Sequence, residues 1–261
     1  MKTNLDKKKN ILFLVLSGIF LTNALVAEMI GTKIFSFESS LGFPPAHLSI
    51  FGFIMDFNLT AGAVIWPIVF ITTDLINEYF GKPGVKRITY LTAGLIGYSF
   101  LVIFFSIQLD PASWWLEQNA SDPDGNPFNI NFAFSKIFGQ GLRIIIGSLI
   151  AFLAGQLIDV FVFQKLRKIT GSKWLWLRAT GSTFISQFID SYIVLFIAFS
   201  GMFSWPQILA IGTTNYVYKF VVALALTPLI YLGHYIIDQY LGKTEADQIS
   251  AEAAQKSQGL F

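Results

Sequence analysis

The sequence predicts an all-helical membrane protein of six transmembrane helices with both termini cytoplasmic, and three observations predict it. The first is composition: 54% of the 261 residues are hydrophobic and 13% are charged, whereas soluble domains carry about 25% charge. The second is a set of six apolar stretches near the roughly 20 residues needed to cross a hydrocarbon core. The third is the placement of the basic residues. Four lysines precede the first stretch, three basic residues join the second to the third, five join the fourth to the fifth, and two follow the sixth. That places 14 of the 18 on one side of such a fold. Positive residues stay cytoplasmic.

Residues 1–10 form a polar, basic cytoplasmic tail with Lys2, Lys7, Lys8 and Lys9. The apolar run 11–34 that follows is too long for the h-region of a signal peptide, which is roughly 7–15 residues. It reads as a retained first span carrying Asn23 and Glu28. Asn23 fits a helix–helix hydrogen bond. Residues 35–60 hold Pro44, Pro45 and several glycines, which oppose one continuous helix. Their Phe and Leu content predicts a loop lying against the membrane.

The second span is expected over 62–80 with Pro67 inside it. Neighbouring groups in a membrane can satisfy the carbonyl that such a proline frees. Thr73, Asp74, Asn77 and Glu78 fall at i, i+1, i+4 and i+5 and share one helical face. A turn at 81–84 precedes the third span, 88–109. That span has no ionisable residue, and Gly94 and Gly97 would permit close packing. The acidic loop 110–136 follows. Trp114 and Trp115 suit the membrane interface, and 128–136 is read as dipping toward the bundle.

The fourth span, 137–163, belongs to the apolar stretch 142–167, which carries Arg143, Gln156 and Asp159. In the fifth, 179–203, Ser182, Ser186 and Asp190 stack at i, i+4 and i+8 beside Thr183 and Gln187, forming one polar stripe. The sixth, 206–232, has Asn215 and Lys219 at i and i+4 with Tyr216 and Tyr218 beside them. The six spans form one transport domain over 11–237. Residues 238–261 are expected as a polar cytoplasmic tail, partly disordered at its end.

With that topology Glu28 and Arg143 lie in the outer half, and Asp190 and Lys219 nearer the middle. Gln156, Asp159 and Asp74 lie toward the inner half, and Glu78 approaches the inner surface. Ionisable groups at membrane depth are costly and mark functional sites by default. A single structural ion pair needs two members, whereas this set spans five helices and predicts a ligand-lined cavity. Blander readings exist. Arg143 can snorkel to the interface, Glu78 can be interfacial, and Trp66, Phe184 and Tyr216 serve equally as apolar filling.

Cysteine is absent and His47 and His234 are the only histidines. Thiolate chemistry, disulfides and histidine-cluster metal sites are therefore not expected, nor is a cofactor. There is no HExxH, GxSxG or Walker motif, so an enzyme is not expected and the chain itself hydrolyses no ATP.

Four segments carry a family resemblance: WPIVFITTDLINEYFG at 66–81, LRIIIGSLIAFLAGQLIDVFVFQKLR at 142–167, GSTFISQFIDSYIVLFIAF at 181–199 and NYVYKF at 215–220. With the six-span layout, the chain over about 11–240 resembles the bacterial queuosine precursor transporter family, also described as vitamin uptake transporters. The resemblance implies uptake of 7-cyano-7-deazaguanine or 7-aminomethyl-7-deazaguanine across the bacterial inner membrane. Thr73, Asp74, Arg143, Gly155, Gln156, Asp159, Ser182, Asp190 and Lys219 fall on its pattern. Gln187 stands where Asn also occurs. Asn215 stands where Asp occurs, which removes one charge partner for Lys219.

The residue inventory suits such a base. A carboxylate accepts from an N–H/NH₂ edge, Gln or Asn both donates and accepts, and Lys donates to a carbonyl. We expect Asp190, Gln187 and Gln156 at the polar edge of the base, Lys219 with Asn215 at its carbonyl side, and Trp66, Phe184 or Tyr216 against its ring. Asp159, relayed by Asp74 on the inner side, is the candidate for proton coupling, and Glu28 and Arg143 in the outer half join them as residues for gating or proton coupling. Glycine-rich helix faces are compatible with a homodimer; direct nucleic-acid binding is not expected. The alternative is a substrate-binding membrane subunit energised by a separate ATPase on its cytoplasmic face.

Overall fold

The computed structural model describes residues 2–171 and 174–257. Lys173 of the basic connector and residues 258–261 of the tail lie outside the described residues. Five helical stretches among the described residues are long and apolar enough to cross a membrane: Asn4–Ile30, Trp66–Ile107, Ile130–Thr170 (a short helix followed by a long one), Leu175–Phe199 and Trp205–Ala225. Large apolar side chains such as Leu14, Leu101, Phe104 and Phe105 point outward, as a lipid-facing surface requires. The core is built from Phe20 and Ala24 of helix α1 (Lys2–Ile30), Val69, Ile76, Ile88 and Ile96 of α3 (Trp66–Ile107), and Phe152 and Val160 of α6 (Leu142–Thr170).

Two of the expected spans fall within α3, and a single residue separates them. Gly81 has φ 66° and ψ −172°, outside the helical region. In an unbroken helix residues 76 and 84 would lie about 12 Å apart along the axis. A Cβ built on Gly84 would instead lie 3.4 Å from Ile76 Cγ2, so the chain folds back sharply at Gly81. Pro67 lies in the first turn of α3 and not inside it. No intrahelical N–H is needed there, and the fixed φ of proline suits the position.

The segment before α3 is more ordered than a membrane-lying loop. Strand β1 (Ile34–Ser36) pairs antiparallel with β4 (Asn58–Thr60), and β2 (Leu48–Ile50) with β3 (Phe53–Met55). Phe51 and Gly52, both at positive φ, make the two-residue turn between β2 and β3. The short helix α2 (Phe37–Ser40) presents Glu38, which accepts from the Phe57 N–H at 2.7 Å and the Ala46 N–H at 3.4 Å. Desolvation pushes this carboxyl up, but those bonds and one from Ser36 outweigh it and hold the group below the usual carboxylate range.

Beyond α3 come α4 (Ser113–Gln118) and α5 (Ile130–Phe138), the latter a separate short helix ending at Gly139, so α6 begins at Leu142 and not at 137. Helix α7 (Leu175–Phe199) packs along α6. Small residues allow this: a Cβ on Gly147 would fall 3.2 Å from Ile197 Cβ, and one on Gly155 3.5 Å from Asp190 Cβ. Gly94 and Gly97 differ, since nothing lies within 4 Å of a Cβ there; they face outward and support no helix packing. The sixth expected span is two helices, α8 (Trp205–Ala225) and α9 (Thr227–Leu241), divided at Leu226 with Pro228 in the first turn of α9. Asn23 bonds the Ile19 carbonyl in its own helix and not a neighbour.

The polar tail differs most from expectation. Residues Lys243–Lys256 form helix α10, which lays Ala246, Ile249 and Ala253 against α3. Contacts gather the N-terminal segment, the Gly81 turn, the α6–α7 turn and α10 at one end of the bundle. Lys8 donates to the Tyr240 carbonyl, Lys9 lies 3.7 Å from Glu252, Ser257 Oγ accepts from the Lys82 N–H, and Arg167 reaches Ser250.

Candidate functional site

A cavity opens between α3, α7, α8 and the start of α9. Trp66, Asp74, Thr183, Tyr218, Lys219 and Ile230 are among its lining residues. The polar groups arrive by helical spacing. On α7, Ser182, Thr183, Ser186 and Gln187 are buried, and Asp190 continues their stripe. On α3, Thr73, Asp74, Asn77 and Glu78 are all buried together.

Lys219 donates to Asp190 Oδ2 at 2.5 Å, the two side chains being 17% and 22% exposed. Lys219 thus has a carboxylate partner on α7 although position 215 is Asn. Glu28 lies within electrostatic reach of both and accepts from Ser148 Oγ at 2.5 Å. Asp159 accepts from Ser186 Oγ at 3.1 Å, with the Ser182 and Thr183 hydroxyls also against it. Thr73 Oγ1 donates to Gln156 Oε1 at 3.1 Å and so links α3 to α6. Asp74 is in electrostatic reach of Asp159, and its Oδ1 is buried without a hydrogen-bond partner, as is Oε1 of Gln187. A buried acceptor left unpaired costs about 1–3 kcal/mol, so both oxygens suit an incoming N–H.

Not every expected residue reaches this region. Trp66, Asp74 and Lys219 line the cavity; Asp190 meets it only through Lys219, and Asp159, Gln156, Gln187 and Glu28 are buried in the bundle. Asn215 is half-buried. Phe184 and Tyr216 pair with each other, ring centroids 5.5 Å apart, in an outer aromatic cluster with Phe188 and Phe220, and Phe184 is exposed. Arg143 is exposed at the opposite end from α10, where its Nη1 donates to the Ser200 carbonyl just past the end of α7 at 3.3 Å.

Sequence reasoning passed over a second polar cluster. Glu78 Oε1 lies 2.9 Å from Arg178 Nη2 and 3.2 Å from Arg167 Nη2, and it accepts from Ser250 Oγ at 2.9 Å. Both arginines belong to what reads in sequence as a solvated basic connector. The one signal available was residue type: four arginines stand against fourteen lysines, and Arg is the residue suited to buried ion pairs.

Residues 60–233 match the family model described as "Putative vitamin uptake transporter". The chain belongs to this family. The transporter is 32% identical over 200 residues to a "Probable queuosine precursor transporter" of Bacillus subtilis, covering 74% of this chain and 80% of that one. It is 27% identical over 206 residues to the "Queuosine precursor transporter" of Escherichia coli, covering 76% and 83%. A Haemophilus influenzae protein, also named "Probable queuosine precursor transporter", is 26% identical over 177 residues, covering 66% of each. No solved structure matches. The transporter is a multi-pass protein of the bacterial inner membrane and not an enzyme. Among the described residues no cluster of three His, Asp or Glu side chains could hold a metal ion.

Proposed function

We propose that the protein carries a queuosine precursor, the cyano or aminomethyl 7-deazaguanine base, inward across the membrane for salvage into tRNA. The observation that carries this reading, beside the family, is the cavity that sets a carboxylate, an ammonium and an indole around one space: Asp74, Lys219 and Trp66. Asp74 would accept from the N–H/NH₂ edge of the base, Lys219 would donate to its carbonyl, and Trp66 and Tyr218 would flank the ring. Asp190 holds Lys219 in place, and Gln187 and Gln156 form the shell behind. A flat base with donors on one edge and an acceptor on the adjacent one matches these groups, and the cavity, about 30 Å³ in this closed form, would widen to admit it.

In our reading the chain crosses six times, with the fold-back at Gly81 separating the second and third crossings. The convergence of the basic segments at the α10 end supports placing that end, and both termini, in the cytoplasm. Uptake is either facilitated or coupled to a proton carried by Asp159. Binding of 7-cyano-7-deazaguanine to purified protein, followed by uptake into proteoliposomes, tests the proposal. If neither precursor binds while an unrelated vitamin does, the substrate assignment falls. If uptake requires an ATPase that co-purifies, the chain is instead the membrane subunit of an energised importer.

A further inference from the structure

We propose that Glu78, Arg167 and Arg178 form the cytoplasmic gate of the transport path, and that α10 is the latch holding it shut. The proposal rests on the transport reading above and adds the route by which substrate leaves the cavity. Position comes first. Glu78 sits one helical turn beyond Asp74 on α3, and Arg178 immediately precedes Ala179 and Thr180, which line the cavity. The cluster is therefore the next layer between the cavity and the end where α10 lies.

The bonding describes a seal across four helices. Glu78 of α3 takes both guanidinium groups on one oxygen. Arg167 of α6 also donates Nη1 to the Glu78 carbonyl at 3.0 Å and Nη2 to the Ser250 carbonyl at 2.7 Å. Arg178 of α7 donates Nη1 to the Gly171 carbonyl at 2.9 Å. All three side chains are nearly inaccessible. Ion clusters buried this deeply are a poor device for stability, because desolvation offsets the attraction and an apolar seam does as well. They suit a joint that opens, since each charged group recovers hydration when the joint parts.

The latch is separable from the bundle. Beside the Ser250 carbonyl bond and the Lys9–Glu252 pair, α10 and its cap hold to the bundle through two hydroxyls and a small apolar face. Ser250 bonds Glu78 and Arg167, Ser257 Oγ accepts from the Lys82 N–H at 3.0 Å, and only Ala246, Ile249 and Ala253 among its apolar residues are buried. Ile249 is the one large side chain among them and the alanines bury little area, so α10 is held by far less apolar burial than a spanning helix.

The cysteine-free sequence makes the test direct. Lys9 of α1 and Glu252 of α10 lie 3.7 Å apart outside the cluster. Two long side chains span that gap, so in a Lys9→Cys/Glu252→Cys variant a bis-methanethiosulfonate crosslinker, joined to each thiol by a reducible disulfide, would tie α10 to the bundle. Proteoliposomes bearing it should bind 7-cyano-7-deazaguanine within about twofold of the reduced form, yet take it up at least tenfold more slowly until reductant restores the rate. Unchanged uptake, or a loss that reduction does not reverse, overturns the latch. A second arm needs no substrate. In a Thr180→Cys background, Ser250→Ala should raise labelling by a membrane-impermeant maleimide from the cytoplasmic side at least threefold, and equal labelling overturns the gate. If the precursor fails to bind even the reduced protein, the transport reading falls while this arm still decides the gate.

Discussion

Asp74 presents an unpaired buried oxygen to the cavity, so Asp74→Asn should weaken binding of the precursor by at least tenfold, about 1.4 kcal/mol, as read by calorimetry. In the proposed reading Asp190 acts through Lys219, which it bonds. Asp190→Asn should lower affinity less, by a few-fold, because the lysine stays but loses its anchor; equal losses for the two variants would reject this division of roles. The polar positions were legible in sequence because helical spacing is local. Ser182, Ser186 and Asp190 fall on one face by arithmetic alone. The same arithmetic puts Phe184 about 200° from Ser182, on the outward face, where it is found. Its expected role at the ring was an aromatic preference overriding the helical wheel. Arg167 and Arg178 were illegible for a different reason. Their carboxylate partner lies 89 and 100 positions away in the chain, and apart from residue type nothing in the local sequence distinguishes them from the lysines beside them.

At the scale of elements, the break in α3 and the docking of α10 depend on each other. A Cβ on Gly81 would fall 2.5 Å from Ser257 Oγ and 2.7 Å from the Ala253 carbonyl, at a φ that side chains rarely adopt. Gly81→Ala should therefore lower the thermal midpoint and expose α10 to proteolysis, both measurable in detergent. The 81–84 turn was visible in sequence as Gly-Lys-Pro-Gly, whereas the helix in the tail was not read. Ala246, Ile249 and Ala253 recur at helical spacing, but they are small and sparse enough to pass for a solvated segment. In the ordered segment before α3, Glu38 supplies a pH test. Its carboxyl is held below its ordinary range in the folded protein, so its contribution is present above the unfolded value and is lost as pH falls through the folded one. Amide hydrogen exchange within 45–58, corrected for the intrinsic rate at each pH, should quicken as pH drops below about 4. In Glu38→Gln protection should be low throughout, with little dependence on pH.

For the molecule as a whole, the open question is what drives uptake. The aminomethyl precursor is a cation near neutral pH, and a potential negative inside favours its entry by about 2.3 kcal/mol per 100 mV, an accumulation of about 50-fold. The neutral cyano form receives no such help. If Asp159 carries a proton, an inward proton gradient should concentrate the cyano form in proteoliposomes, and Asp159→Asn should reduce this to equilibration. Equilibration in the parent would make the protein a facilitator. That the chain is an all-helical membrane protein was readable, because composition summarises the whole chain. The basic segments, separate in sequence, meet in space at one end. The number of crossings was less readable: six were expected, whereas five helical stretches among the described residues are long and apolar enough to span, one of them broken at Gly81.

The position of α10 in the chain has a consequence for biogenesis. A ribosome delivers α3, α6 and α7 to the membrane before it has made Ser250 or Ser257. During that interval Glu78 and Arg167 lack the Ser250 hydroxyl. The newly inserted bundle is thus closed only when the segment following its last spanning helix has been synthesised and has folded back. A chain stopped short of residue 243 would be inserted but unsealed, and membrane quality-control proteases should clear it faster than the completed protein.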